Sequence, residues 1–285
     1  MTFSHKVDKY RISPHLDSRL DTHLSRVLSR RQQGFSLLEI AVVLLIVGLM
    51  LGGLISPLSS QRHTLKLREV KTQLEEIQTA VLGFAAANGR IPCPTIPNNN
   101  GLESGGGAAN CTSGGAPFSH GFVPTNSLGL SGPLDAQGLL LDPWGRPIRY
   151  SVTRADSGGT GGLWDFIGTG EMSAVGMATL APDLVVCASA SNNGTACSNG
   201  DAVASTVPVI FFSTGRDGGS FTSADQLENA GETSSATLGG HSIATDSVFT
   251  THVTSTLAGS EFDDTVVWLS AQILYAHMMQ ARQLP

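Results

Sequence analysis

Glu39 is a carboxylate inside a strongly apolar stretch. Sixteen uncharged residues, 40–55, follow it directly, and Phe35, Leu37 and Leu38 lie just before it. With these flanking residues the stretch reaches the length of about 20 residues that a membrane-spanning helix needs. A lone carboxylate inside a membrane costs roughly a few kcal/mol and usually has a partner there. The sequence therefore predicts a membrane helix in which Glu39 has a partner or a function.

The four cysteines are a second group with chemical potential. Cys93 and Cys111 bracket a segment rich in Pro, Gly, Asn and Ser, and Cys187 and Cys197 bracket a second polar segment. Four cysteines allow three pairings, of which the two local pairs are the simplest. Zinc binding is the alternative, but no Cys-x-x-Cys occurs. Because all four cysteines follow the apolar stretch, on the side predicted to be oxidising, we expect disulfides.

Charge is distributed unevenly along the chain. Residues 1–34 contain seven Lys or Arg and three Asp, a net charge of +4, whereas the whole chain carries −6. Basic residues accumulate on the cytoplasmic side of membrane spans. An acidic body argues against nucleic-acid binding. We therefore expect the N-terminus in the cytoplasm and the C-terminal part in the periplasm.

A long helix is the first element that would position these groups. An apolar stripe with spacings of three and four residues continues beyond the membrane stretch, at Leu67, Val70, Leu74, Ile77, Val81 and Phe84. Asn88-Gly89 followed by Pro92 predicts the end of the helix. The stripe is short for a free coiled coil. We therefore expect a helix from Phe35 to about Ala87 whose second half packs on the chain's own sheet.

The remaining elements are shorter. Residues 92–132 and 220–260 are predicted to be long loops, and turn residues from Asp142 to Gly145 lead into a strand that ends near Val152. Residues 207–212 predict one further strand. Residues 265–283 predict a final helix with Val266, Leu269 and Ile273 on one face.

Gly34-Phe35-Ser36-Leu37-Leu38-Glu39, after a basic leader, resembles the class III signal of type IV prepilins and type II secretion pseudopilins. The resemblance implies cleavage between Gly34 and Phe35 by a membrane prepilin peptidase, followed by N-methylation of Phe35. Glu39 is then the fifth residue of the mature chain, where the family has a glutamate. The new amino group of Phe35 is cationic. It is the charge that Glu39 could meet, in its own or a neighbouring subunit, to set the register of assembly.

Two further motifs are similar to those of the major pseudopilins. Asp-Pro-Trp-Gly at residues 142–145 is similar to the motif that opens their small sheet. A glycine-rich turn, Gly215-Arg216-Asp217-Gly218, and the later Asp263-Asp264 with Trp268 are similar to their calcium-binding loop. The resemblance implies Asp217, Asp263 and Asp264 as calcium ligands, with backbone carbonyls near Ser213 and Gly215. In the alternative interpretation, Asp263 or Asp264 caps the final helix.

These features predict an α+β fold of pilin type, with a long N-terminal helix packed on a small antiparallel sheet with long loops. Residues 1–34 would be a cleaved cytoplasmic leader, and residues 35–57 the transmembrane and assembly helix. Residues 58–89 would be the soluble half of that helix. Residues 90–285 would form a periplasmic globular domain.

The predicted function is that of a structural subunit, a pseudopilin or minor pilin, of a type II secretion pseudopilus in the bacterial inner membrane. Its predicted partners are the prepilin peptidase, other pilin-like subunits and the inner-membrane assembly platform. A minor pilin of a type IV pilus, or a membrane-tethered periplasmic binding domain that does not assemble, is the alternative. Since no Gly-x-Ser-x-Gly, P-loop or His-Glu-x-x-His motif occurs, we expect no enzymatic activity.

Overall fold

The computed structural model describes residues 34–158, 162–190, 196–218, 221, 223–230 and 247–285, without the side chains of residues 52–61 and 199. The predicted leader, Gly34 excepted, lies outside the described residues. So do His241 and residues 231–246 of the predicted loop 220–260. The chain divides into two compact units, Met1–Leu58 and Ser59–Pro285.

Helices and antiparallel strands are mixed, as an α+β fold requires. The helices are α1 (Leu37–Asn88), α2 (Thr125–Leu128), α3 (Glu171–Val175), α4 (Ala224–Ala230) and α5 (Ala271–Gln280). The strands are β1 (Thr112–Ser113), β2 (Ala116–Pro117), β3 (His120–Phe122), β4 (Arg149–Val152), β5 (Leu184–Cys187), β6 (Ala202–Val207), β7 (Val209–Ser213), β8 (Val248–Thr250) and β9 (Thr265–Leu269).

Helix α1 has bounds close to the predicted ones. The Ser36 hydroxyl accepts hydrogen bonds from the N–H groups of Leu38 (3.2 Å) and Glu39 (3.4 Å), in the first turn of the helix, where no carbonyl lies four residues earlier within the helix. At the other end, Gly89 adopts φ +69° and its N–H donates to the carbonyl of Ala85. Glycine takes this left-handed conformation at little cost, so the helix ends where the sequence predicts.

The apolar stripe of α1 forms part of the main core. Four of its predicted members, Val70, Leu74, Ile77 and Val81, are at most 1% exposed. They pack in one cluster with side chains of β4, β7 and β9. Burying one such side chain contributes about 1.5–3 kcal/mol, so this packing anchors the second part of α1 to the globular unit.

A four-stranded antiparallel sheet, in the order β3-β4-β7-β9, carries this packing. Tyr150 at its centre pairs with Phe211, and its hydroxyl donates to the carbonyl of Pro92 at 2.9 Å. The strand predicted to end near Val152 is confirmed as β4. Strand β3 and helix α2 fall inside residues 92–132, which the sequence predicts as loop.

A second sheet, in the order β6-β5-β8, was not predicted, and β5 and β8 pair in parallel. The predicted strand over residues 207–212 is confirmed for residues 209–212, which belong to β7, but its start was wrong, because the chain changes sheets at Pro208. Val207 ends β6 and Val209 begins β7. Proline lacks the N–H that continues a ladder of hydrogen bonds, and Thr206 before it has φ +55°.

The predicted helix over residues 265–283 was also wrong in its first part. Residues 265–269 form β9, whose backbone pairs with β7, and the helix α5 begins only at Ala271. The Ser270 hydroxyl caps α5 by accepting the N–H of Ile273 at 3.3 Å. Asp263 and Asp264 therefore do not cap it. A run rich in β-branched residues follows the strand pattern here, and the serine marks the true start of the helix.

Candidate functional site

The residues of the predicted processing site lie at the start of the described chain. Gly34, Phe35 and Glu39 are exposed, and Phe35 is 78% exposed. Glu39 lies in the first turn of α1, where its N–H donates to the carbonyl of Ser36 at 3.0 Å. Among the described residues its carboxylate has no ion-pair partner within 4 Å. Glu39 is thus exposed and unpaired within the described part of the chain.

Apolar side chains are exposed along the whole first part of α1. From Phe35 to Leu51 the large apolar residues are 44–92% exposed. Contiguous apolar surface of this kind marks a site of contact with another molecule or a membrane. Within the described residues, no helix combines the length and the hydropathy needed to cross a membrane.

The four cysteines form two local disulfides. Cys93 is bonded to Cys111 and Cys187 to Cys197, which is the pairing that the sequence favours. The first disulfide closes the proline- and glycine-rich segment that precedes β3. The second joins the end of β5 to the segment before β6. Such cross-links stabilise a protein mainly by restricting the unfolded chain.

Asp142 organises the Asp-Pro-Trp-Gly turn. Its Oδ1 accepts the N–H groups of Trp144 (2.9 Å) and Arg146 (2.8 Å), and its Oδ2 accepts the hydroxyl of Ser213. Burial raises the pKa of the Asp142 carboxyl, and these hydrogen bonds oppose that rise. Because Ser213 ends β7, Asp142 joins this turn to the start of the glycine-rich turn.

Asp263 binds the backbone of the glycine-rich turn through its carboxylate. Its Oδ2 accepts the N–H groups of Arg216 (2.7 Å) and Asp217 (3.3 Å). Gly215 has φ +65°, and a Cβ there would collide with the Asp263 carboxylate. Only glycine allows this close approach. The two motifs that are far apart in sequence therefore meet in space.

Gln226 of α4 links the carboxylates of Asp217 and Asp263. Its side-chain Nε2 donates to Asp217 Oδ1 at 3.0 Å and to Asp263 Oδ1 at 3.4 Å. Two of the three predicted calcium ligands are thus neighbours.

Asp264 is turned towards a different partner. Its Oδ2 accepts the side-chain amide of Asn229 at 2.7 Å, and Asn229 in turn bonds both backbone groups of Thr250 in β8. The other oxygen, Oδ1, is buried without a hydrogen-bond partner among the described residues. Asp264 therefore belongs to a contact between α4 and β8 and is separated from the Gln226 contact.

Both members of the acidic pair hold protons more tightly than usual. Burial, together with the Asp217 carboxyl, raises the pKa of Asp263 to about 7. Burial raises the pKa of Asp264 to about 8, with the charges of Asp263 and Asp217 adding to the rise. A cation at this place would relieve the repulsion between the carboxylates.

A small cavity of about 130 Å³ adjoins the pair and offers oxygen ligands. Asp217, Asp263 and Glu261 line it together with His63, Arg216 and residues 254–256. Carboxylate and hydroxyl oxygens are the ligands that calcium prefers. However, no three His, Cys, Asp or Glu side chains in the described part of the chain are placed to hold a metal ion together. The donor chemistry fits calcium at Asp217 and Asp263, with the remaining ligands left to backbone, hydroxyl or water oxygens.

Gln226 and Asn229 were missed by the sequence analysis because α4 lies in a region predicted as loop. A signal was present: Ser223-x-x-Gln226 follows the capping-box pattern. The Ser223 hydroxyl indeed accepts the N–H of Gln226 at 3.2 Å. Asn229 lies one turn further along the same helix and offers no comparable signal.

Comparison with known families gives one match. The family described as the prokaryotic N-terminal methylation motif matches residues 29–55. No curated protein and no solved structure matches the chain. The matched residues include Gly34, Phe35 and Glu39 and continue into the exposed apolar part of α1. This chain therefore carries the class III signal of the type IV pilin and pseudopilin family.

Proposed function

We propose that the chain is a structural subunit of a pseudopilus, a pseudopilin or minor pilin. A prepilin peptidase cleaves it between Gly34 and Phe35, Phe35 is then N-methylated, and residues 35–57 hold the subunit in the bacterial inner membrane. The globular unit lies in the periplasm. The inner-membrane assembly platform and other pilin-like subunits are its partners.

One observation carries this proposal: the methylation motif leads directly into a helix whose apolar side chains are exposed. Exposed apolar surface of this extent needs cover from lipid or from other helices. A secretory signal would instead be cut after its apolar core. Retention of the apolar helix after cleavage gives the mature subunit both its anchor and its surface for assembly.

Glu39 would set the register between subunits. In an apolar bundle the carboxylate of one subunit and the cationic amine of Phe35 in another attract each other with little screening. A shifted register would leave both charges unpaired at a cost of several kcal/mol. The ion pair therefore selects one arrangement.

The intact mass of the membrane-extracted protein tests processing. We expect loss of residues 1–34 and the gain of one methyl group on Phe35. Gly34→Leu is the matched variant, and it should retain the full leader because the peptidase needs a small residue before the cut. A wild-type chain that keeps its leader would contradict the proposal.

Two substitutions at Glu39 test the assembly role. Glu39→Gln keeps size and removes the charge, so cleavage should persist while assembly into filaments is lost. Glu39→Asp keeps the charge and should assemble in part. Normal assembly of Glu39→Gln would refute the register role. Normal processing with no assembly in wild type would favour a membrane-tethered binding domain.

The choice between a secretion pseudopilus and a type IV pilus depends on two motifs of the globular unit. Asp142-Pro143-Trp144-Gly145 and the acidic pair before Trp268 favour the pseudopilin. Secretion that fails, while surface pili persist, in cells lacking this chain would support that assignment. Loss of pili with normal secretion would support a minor pilin.

Calcium binding is the second part of the proposal. Asp217 and Asp263 would hold the ion, with backbone carbonyls near Ser213 and Gly215, and Asp264 would act as a nearby negative charge. Calcium bound there would offset the repulsion between these buried carboxylates and fix the glycine-rich turn to the start of β9.

Thermal unfolding with and without calcium tests this part. We expect calcium, but not magnesium, to raise the melting temperature, because the smaller ion demands stricter geometry. The rise should vanish in Asp263→Asn and persist in Asp156→Asn, an exposed control. An equal rise in both variants would place calcium elsewhere, and no rise in wild type would contradict calcium binding.

A further inference from the structure

An open groove runs beside α1 in the globular unit. Two adjoining cavities, of about 360 and 420 Å³, share Thr72 and Glu76 as lining residues. Glu69 and Glu75 line one cavity each. The opposite wall is the segment 128–133. We call this the acidic groove.

The two walls of the acidic groove differ in character. The helix side carries three exposed carboxylates, and none of them has an ion-pair partner within 4 Å among the described residues. The other side is mainly apolar, with Leu128, Leu130 and Pro133. A ligand that suits both walls is therefore basic and also apolar.

The same helix presents such a surface one to two turns earlier. Arg62, Leu65 and Arg68 recur every three residues, and all three are exposed. Leu65 is 61% exposed although it is a large apolar residue. Within the part of the chain that the structure describes, neither arginine has a carboxylate within 4 Å. We call these three residues the basic ridge.

The centre of the basic ridge is displaced along α1 from the centre of the acidic groove of its own chain, and Arg68 directly precedes Glu69 at the edge of that groove. Leu65 lies nine residues before the midpoint of Thr72 and Glu76. At a rise of 1.5 Å per residue, this separation is about 14 Å along one continuous helix. Because Leu65, Thr72 and Glu76 lie on one face of the helix, a second copy must be shifted along the helix axis by that distance and also turned to face the first, which brings its ridge level with the groove.

We propose that the basic ridge of one copy docks into the acidic groove of the next, with an axial offset of about 14 Å. Leu65 would pack against Leu128 and Leu130, while Arg62 and Arg68 face the groove's carboxylates. Opposite charges at such a partly exposed surface mainly select the correct partner and register. The apolar contact supplies the burial. This inference rests on the proposed function, because it needs copies that lie side by side.

Cysteine cross-linking in the processed full-length protein tests the contact. One copy carries Leu65→Cys and another carries Ser131→Cys, and the four native cysteines are already paired. We expect a disulfide-linked pair between the two differently labelled copies in assembled material. Mixtures in which every copy carries Leu65→Cys should cross-link far less.

Charge reversal makes the test specific. Glu75→Lys with Glu76→Lys on the Ser131→Cys copy should reduce the cross-link about tenfold, because arginines then face lysines. Arg62→Glu with Arg68→Glu on the other copy should restore it. Asp156→Lys, a reversal at an exposed site away from the groove, should leave it unchanged.

The outcomes separate this contact from the proposed function. Filaments that pellet normally without the 65–131 cross-link would overturn the contact and leave assembly standing. Loss of the cross-link without rescue by the double charge swap would also overturn it. A processed chain that forms no filaments in any variant would overturn the contact and the assembly role together.

Discussion

Two stretches of α1 have opposite relations to their surroundings. Between residues 37 and 51 the large apolar side chains are exposed, and the structure gives them no covering partner among the described residues. Between residues 70 and 85 the apolar side chains alternate with charged ones at helical spacing, and Val70, Leu74, Ile77 and Val81 are buried.

The difference shows which part of the helix packs into the core of the globular unit and which part leaves its apolar side chains exposed. An amphipathic stripe needs only one apolar neighbour, and the four-stranded sheet supplies it. A stretch that is apolar on all sides cannot be covered by one sheet. It needs lipid or several other helices. The methylation motif, residues 29–55, includes this stretch, residues 37–51.

The largest expected effect is the difference in stability between two variants, each with a leucine truncated in one of the two stretches. Leu74→Ala should lower the free energy of unfolding of the globular unit by about 2–5 kcal/mol, because it leaves a cavity at a fully buried position. Leu44→Ala, at a residue 65% exposed, should change it by less than about 0.5 kcal/mol. Urea unfolding of both variants, followed by tryptophan fluorescence, measures the difference.

In an assembly assay, the same two variants should show the opposite order of severity. Leu44→Ala removes contact surface from the apolar stretch and should weaken filament formation, whereas folded Leu74→Ala should assemble. Equal loss of stability in both variants would mean that the first stretch packs on its own globular unit, and the comparison would fail.

A pH series should locate a second effect in the globular unit. The pKa values of Asp263 and Asp264, about 7 and about 8, lie above the value of about 4 expected in the unfolded chain. The folded state therefore binds more protons between these values. The stability that these two carboxyls contribute is fully present below pH 4 and is lost as pH rises through 7 and 8. With a calcium chelator present, the melting temperature should be higher at pH 5 than at pH 8.

Substitution of the two carboxyls isolates their contribution. In Asp263→Asn combined with Asp264→Asn, the melting temperature should differ less between pH 5 and pH 8, since neither amide titrates. Asp156→Asn should preserve the difference. A stability that increases from pH 5 to pH 8 in the chelated wild type would contradict the raised pKa values.

The sequence predicts α1 well because its signals are local. The stripe, the Asn88-Gly89 stop and the motif around Gly34 each depend on residues within a few turns of one another. The nearest-neighbour pairing of the cysteines is local too. The meeting of Asp217 with Asp263 came from a resemblance, and the structure places the two side by side through Gln226.

Non-local pairing explains what the sequence did not predict. Residues 265–269 are assigned to the final helix by the spacing of Val266, Leu269 and Ile273, although their β-branched residues favour a strand, and the structure pairs them with β7. The division of residues 207–212 at Pro208 depends on two sheets whose partners lie far along the chain. Asp264 bonds Asn229, some 35 residues away, and periodicity carries no information about such a contact.

The smallest expected effect concerns a polar contact between the second stretch of α1 and the sheet. Gln78 donates from its side-chain Nε2 to the backbone carbonyl of Trp268 in β9 at 2.9 Å, and so fastens the helix to the edge of the sheet. Gln78→Ala removes this hydrogen bond, so we expect the free energy of unfolding to fall by about 1 kcal/mol. Thr79→Ala, at the adjacent exposed position, removes only a bond within the helix to Glu75 and should cost less. Amide hydrogen exchange in β9 should rise in Gln78→Ala and stay unchanged in Thr79→Ala. An unchanged exchange rate in both variants would show that apolar packing alone, without this hydrogen bond, holds the second stretch to the sheet.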